Sequence, residues 1–367
     1  MGTTGVLVRK VTSLEKAVAE ALDFLQFDFS GKKVWVKPNL LAPHPPDAGV
    51  TTDPEFVRQV VRQLRHRGAA AVWVADNPSV VHKGPLEDFL APTGIVAASE
   101  GAFRNIGESS LLLPLKSRFV NQIPVSAIIN EADVILNLPV LKTHGLTIIT
   151  GAIKNIFGII PGGHKAYLHT VVASAQEFAE LLVDIYQAVP RPMFHIMDGL
   201  RGMDGPNGPS GGRVLKLGLL LASRNGVALD AVVTLLAKGK PRAIPTNRIA
   251  HERGLGPIDR EGIEIVGDYQ PIRGFRLPWT GLAAVVTRAS VPVYRLLRRT
   301  PVLNRKLCIR CEECARNCPA RAITMSPFPR VDRRRCIACF CCAEICPTHA
   351  LTIAGTLCSQ WISFTGR

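Results

Sequence analysis

Apolar residues recur along this chain with two alternating periods. Near the start, GVLVRK (5–10) is a β-rich run, and LEKAVAEALDFL (14–25) repeats its apolar positions at helical spacing. VWVKPNLL (34–41) predicts a strand that ends in a proline-rich loop, APHPP. Thr52-Asp53-Pro54 then supplies an N-cap and a proline suited to the first helical position, and Phe56, Val57, Val60, Val61 and Leu64 follow on one stripe. Gly68 ends that helix, and AAAVWVAD (69–76) is the next strand. Strand, helix and strand with short connections form a βαβ unit, which implies parallel neighbours.

The alternation continues. IPVSAIINEADVILNLP (123–139) reads as a short helix and a buried strand, and residues 171–189 carry a helical stripe. MFHIMDG (193–199), LKLGLLLAS (215–223) and GIEIVG (262–267) read as strands, with GVALDAVVTLLAKG (226–239) as a helix. Residues 1–270 are therefore expected to be one α/β domain, a mostly parallel sheet with flanking helices. Residues 271–305 are apolar, basic and interrupted by prolines. They predict a linker helix packed between domains; the alternative is a peripheral membrane contact by a basic amphipathic segment. No run of about 20 apolar residues predicts a transmembrane helix, and the N-terminus lacks a signal-like apolar stretch, so a cytoplasmic location is expected.

Charge and cysteine sharpen the division. The formal net charge is +15, and residues 271–367 hold 16 Lys and Arg against 4 Asp and Glu. A basic face suits docking to an acidic redox partner protein. Part of that charge also compensates clusters that are formally negative. All 10 cysteines lie between Cys308 and Cys358. Two runs share one spacing: Cys308, Cys311, Cys314 and Cys318 before Pro319, and Cys336, Cys339, Cys342 and Cys346 before Pro347. A tight loop brings three thiolates to one cubane, and the fourth cysteine of each run reaches the other. One [4Fe–4S] cluster should use Cys308, Cys311, Cys314 and Cys346, and a second Cys336, Cys339, Cys342 and Cys318. Structural zinc fits two interleaved runs of this kind poorly. AITM (322–325) and ALTI (350–353) read as paired strands. This stretch resembles the bacterial two-cluster ferredoxins, a small α+β fold, over residues 306–358. Cys341 and Cys358 are left over and read as plain thiols.

In the α/β part, polar clusters sit at predicted strand ends, where ligands bind in open sheets. Lys142 and His144 follow ADVILNLPV, and Lys154, Asn155, His164 and Lys165 come after them among glycines. Such a loop suits an anion: glycines let backbone N–H groups approach it, and lysines supply charge. Lys37-Pro38-Asn39 and Asp76-Asn77-Pro78 occupy similar places, and DGLRGMDGPNGPSGG (198–212) reads as a long glycine-rich loop in which Asp198 or Asp204 could orient a metal or a proton. The Walker A and dinucleotide fingerprints are not met. KPNLL, TTDPEFV, ILNLPVLKTHGLTIITGAIKNIFGIIPGGHK and ALDAVVT resemble the family called domain of unknown function 362, many of whose members carry a C-terminal two-cluster ferredoxin. GIIPGGHKAYLH resembles, over a short stretch, the glycine-rich loop of nickel-dependent lactate racemase-like proteins.

These readings lead to an expected iron–sulfur oxidoreductase. Electrons would enter through the ferredoxin module and reach an anionic small-molecule substrate near Lys142, His144, Lys154, Asn155 and His164, with His144 or His164 donating protons. The alternative is a non-enzymatic electron carrier or redox-complex assembly partner. Nucleic acid ranks last, since aromatic residues are only 6% and no stacking motif is present.

Overall fold

The computed structural model describes residues 3–78, 84–278 and 300–353. Cys358 and residues 279–299, the middle of the expected linker and its membrane contact, lie outside the described residues. Among the described residues, no helix is long and apolar enough to cross a membrane.

The first part is built on a large mixed sheet. Its strands are β1 (Thr4–Lys10), β2 (Lys33–Lys37), β3 (Ala71–Val74), β6 (Val134–Asn137), β9 (Met193–Asp204), β10 (Arg213–Ser223) and β11 (Ile263–Gly267), in the order β11-β1-β10-β9-β6-β2-β3. Between them in sequence, β4 (Ser110–Pro114) and β5 (Gln122–Ser126) make a separate hairpin, while β7 (Val140–His144) joins β9 and carries β8 (Ile148–Ile149). β2 pairs in parallel with β3 and β6, β6 with β9, β7 with β9, and β1 with β11. β10 is antiparallel to both β1 and β9. The mostly parallel sheet thus holds, with one reversed strand inside it.

Alternation explains why both faces are covered. Trp35 and Ile135 point to one side, and Val34, Val36, Val134 and Leu136 to the other; all are fully buried. Helices Ala175–Ala188 and Gly226–Leu236 close the first face through residues such as Phe178, Leu182, Val227 and Ala231. Helices Leu14–Phe24 and Pro54–His66 close the second with Val18, Leu22, Phe56, Val60 and Leu64. Asp53 caps the latter, accepting from Glu55 N at 2.9 Å.

The glycine-rich stretch after Asp198 differs from the expected loop. β9 runs through it to Asp204 and pairs with β10, so only residues 205–212 form the turn. Gly199 and Gly202 serve close packing: a Cβ would lie 2.9 Å from Leu219 O and 2.6 Å from Leu217 Cδ1, respectively.

The C-terminal module holds β12 (Pro301–Leu303), β13 (Ile323–Met325), β14 (Pro329–Val331) and β15 (Leu351–Ile353). AITM and ALTI, expected to pair with each other, do not. β13 pairs with β14, and β15 returns to β12. Each cysteine run contains one short helix, Glu313–Arg316 or Cys341–Glu344, and is followed by a strand of one of these ribbons. The internal repeat extends to the backbone. Arg310, Glu312 and Arg321 adopt left-handed φ of 60°, 65° and 48°, and Ala338, Phe340 and His349 repeat it at 55°, 62° and 51°. These are costly conformations for residues with a Cβ, of order 1–3 kcal/mol each.

Candidate functional site

The carboxyl ends of β2, β3 and β6 converge on one polar cluster, as an open parallel sheet predicts. Lys37 closes β2, and its Nζ lies 2.7 Å from Asp76 Oδ1 just beyond β3, with both side chains buried. Asp76 Oδ2 accepts from Leu40 N at 2.7 Å. Gly158 leaves room for this pair, since a Cβ there would collide with both charged groups.

A chain of amides runs through the cluster. Lys142 Nζ donates to Asn39 Oδ1 at 2.6 Å and to Val50 O. Asn39 Nδ2 donates to Asn155 Oδ1 at 2.8 Å, and Asn155 Nδ2 to Asn137 Oδ1 at 2.7 Å. Asn137 Nδ2 meets His195 Nδ1 at 3.1 Å, and His195 Nε2 meets the Tyr186 hydroxyl at 3.3 Å. Buried polar groups need such partners, and a fully satisfied network holds its members in one arrangement. Asn155 sits on helix Gly151–Asn155, which Asp230 anchors by accepting from Ala152 N at 2.6 Å and Ile153 N at 3.1 Å.

Burial sets the electrostatics. It pushes Lys142 down to about 7, with the nearby Lys154 charge adding to the effect, and Lys165 also to about 7. Burial likewise lowers Lys37 and Lys154. Lys165 Nζ donates to Asn77 O at 2.6 Å. Lys154 is half-buried, and among the described residues its Nζ makes no hydrogen bond.

His144 is held at both ring nitrogens. Nδ1 accepts from Leu146 N at 3.1 Å and Thr147 N at 3.3 Å, so Nε2 carries the hydrogen. Nε2 faces Glu344 Oε1 at 3.2 Å, and Glu344 belongs to the second cysteine run. Burial lowers His144 to about 4, so at neutral pH this is a hydrogen bond from a neutral imidazole to a carboxylate. The module rests on the sheet region at further points. His349 stacks on His44 at 5.7 Å, and Ile353 N donates to Asn207 Oδ1 at 3.2 Å. Gly145 has no room for a Cβ, which would meet Ile353 Cδ1.

Lys142, His144, Lys154 and Asn155 are thus together. His164 is not bonded to them: burial lowers it, it shares no hydrogen bond or ion pair with the other four, and its Nε2 is buried without a hydrogen-bond partner among the described residues. Sequence reasoning missed Asn137, Asp230 and Glu344 as members of the cluster, while Asn39 was visible as a strand-end residue. Lys37, Asp76 and Lys165 were visible as strand-end or loop residues, and only their convergence was hidden.

In the module, Cys308, Cys311, Cys314 and Cys346 line one cavity, and Cys318, Cys336, Cys339 and Cys342 line another. The two are alike in size, as the internal repeat of the cysteine runs leads one to expect. Cys341 lines neither. Backbone N–H groups of Ala322, Ala338 and Ala350 point at the sulfurs of Cys318, Cys336 and Cys346, at 3.2, 3.4 and 3.2 Å. Such donors suit thiolates carrying negative charge. Among the described residues, no three His, Cys, Asp or Glu close on a single metal ion. Four thiolates spread around a larger cavity fit a cubane, whose corners are separate irons.

Residues 34–234, more than half of the chain, match the family model described as domain of unknown function, DUF362. The chain belongs to the DUF362 family. Residues 300–347 of this DUF362 protein match a 4Fe–4S dicluster domain, so an iron–sulfur domain is present. The chain is 31% identical over 250 residues to a thylakoid-associated protein of Synechocystis, covering 63% of this chain and 71% of that one. Two solved structures are similar at a distance. A Thermotoga maritima protein has 15% identity, TM-score 0.36, and covers 52% of this chain and 51% of its own. The lactate racemase apoprotein of Thermoanaerobacterium thermosaccharolyticum has 16% identity, TM-score 0.41, and covers 65% and 57%. The DUF362 chain spans little more than half the length of either, and both are too distant to bear on its activity.

Proposed function

We propose that this protein is an iron–sulfur oxidoreductase that passes electrons to an anionic small molecule held by its α/β part, residues 1–270. Cys308, Cys311, Cys314 and Cys346 would hold one [4Fe–4S] cluster of the module, and Cys336, Cys339, Cys342 and Cys318 the other. When bound, such clusters supply one-electron transfer. The observation that carries this reading is the buried contact of Glu344, in the second cysteine run, with His144 at the sheet end. It joins the module to the lysine cluster directly.

The chain's own residues have distinct parts in this reading. Lys154, half-buried and without a hydrogen bond among the described residues, attracts the anion. Lys142, lowered to about 7, holds or gives up a proton near neutral pH. Asn155 is fixed by Asn39 and Asn137 and offers a rigid polar edge. Proton delivery falls to Lys142 rather than to His144, whose nitrogens are both engaged, or to His164, which shares no hydrogen bond with the cluster among the described residues.

A second reading, a non-enzymatic electron carrier, is favoured by the near-complete burial of Lys142 and His144, at 2% and 1% exposure. The name of the Synechocystis relative favours a peripheral membrane contact by residues 271–305 in a protein otherwise of the cytoplasm.

The test begins with anaerobic purification. Cys308→Ser and Cys336→Ser should each remove about half of the iron and sulfide, and Cys341→Ser neither, if four thiolates serve each cluster. Mass spectrometry of molecules released from wild type and Lys154→Ala then separates the two readings. An anion retained only by wild type supports the enzyme; full clusters with no retained or accepted molecule support the carrier.

A further inference from the structure

The module's first cysteine run carries an exposed patch on a part of the chain that the seam does not use. The seam draws on the second run and its ribbon, through Phe340, Glu344, His349 and Ile353. Ile309, in the first run, is 62% exposed, and Leu307, just before it, 47%. The Arg305 and Arg310 guanidinium groups both lie over the Phe328 ring, at 5.6 and 5.9 Å. Ile309 and Arg310 also line the cavity of Cys308, Cys311, Cys314 and Cys346. The patch therefore lies at the wall of one cysteine cavity.

Its basic groups are not paired with carboxylates among the described residues. In the α/β part, arginines such as Arg62, Arg104, Arg118, Arg213 and Arg242 are ion-paired with carboxylates. Among the described residues, no ion pair neutralises the exposed Arg305, Lys306 or Arg310. The local acidic groups are Glu312, which is exposed, and Glu313, which is paired with Arg316. An apolar centre with an unpaired basic rim has the anatomy of a docking surface for an acidic protein.

We propose that this face, centred on Ile309 and rimmed by Arg305, Lys306 and Arg310, docks an acidic electron-carrier protein. The proposal rests on the reading that the eight cysteines hold redox clusters. A membrane or a nucleic acid gains nothing from lying against a cysteine cavity, whereas a redox partner must approach one. Electrons would enter at the first run and leave towards the lysine cluster through the second.

The experiment uses the full chain with its clusters and an acidic two-iron ferredoxin as the probe. Binding of the oxidised, fluorescently labelled ferredoxin is measured by anisotropy across a salt series, and reduction by the reduced ferredoxin is followed by stopped flow. Arg305→Glu with Arg310→Glu should weaken binding and slow reduction by about tenfold or more at low ionic strength and flatten the salt dependence. Lys116→Glu with Lys238→Glu, two exposed residues of the α/β part, should change neither by more than about twofold. Reduction by dithionite should be equal in all three. Equal binding and rates in the patch variant would overturn the docking face while leaving the clusters intact. Patch-dependent binding to anionic lipid vesicles, with none to the ferredoxin, would also overturn it. Clusters that dithionite cannot reduce would instead remove the underlying redox reading, and the docking proposal with it.

Discussion

Lys37→Met is the sharpest probe of the site's foundation. Lys37 and Asp76 are 2.7 Å apart with side chains 0% and 3% exposed, so neither charge is solvated by bulk water. Burial lowers Lys37 despite Asp76 beside it, which means that desolvation of the lysine outweighs the attraction. The pair as a whole is therefore a weak source of stability. Removing one partner is different, because it strands the other charge. Breaking a buried pair this way costs about 3–5 kcal/mol. For a part of this size that lowers Tm by roughly 6–20 °C. Lys37→Met with Asp76→Leu removes both charges and leaves mainly the lost bond from Leu40 N, so its cost should fall to about 1–2 kcal/mol. Urea unfolding reports it, followed by tryptophan fluorescence; Trp35 is fully buried two residues from Lys37. A single variant costing under about 1 kcal/mol, or a double variant costing the sum of both singles, would refute the reasoning.

Two further outcomes follow from the same geometry. Lys142, lowered to about 7 by burial, binds its proton less tightly when folded than when unfolded, so stability contributed by its neutral form rises from about pH 7 to pH 10. Lys142→Met should reduce that slope by up to about 1.4 kcal/mol per pH unit in a pH series of unfolding curves; an unchanged slope counts against a buried lysine there. Glu344→Ala removes the acceptor for His144 Nε2 and should raise amide hydrogen exchange in residues 144–149 with iron content unchanged. Unaltered exchange would mean that the contact does not hold the seam.

Much of the fold is legible in the chain because its signals are local. The stripe from Phe56 to Leu64 and the alternation through Trp35 need only neighbouring residues to be read, and the cysteine spacing is likewise local. The long antiparallel pair β9 and β10 escapes this reading. Gly199 and Gly202 look like loop residues, yet they are there because Leu219 and Leu217 pack where a Cβ would be. The two module strands mislead for a related reason: the repeat is visible, but pairing to β12 and β14 is a matter of topology. The lysines and His144 stand out by chemistry alone. Asn39 and Asn155 stand out with them, but their meeting with Asn137 from three elements does not, and nothing near Glu344 in sequence hints at a histidine 200 residues earlier.

That separation has a consequence for how the molecule is made. During synthesis the earlier part of a chain folds first, so His144 takes its place at the sheet end long before its carboxylate exists. Glu344 lies on the helix between Cys342 and Cys346, and it comes into position only when that loop takes shape. Until then the buried His144 imidazole lacks the carboxylate that its Nε2 faces in the finished fold.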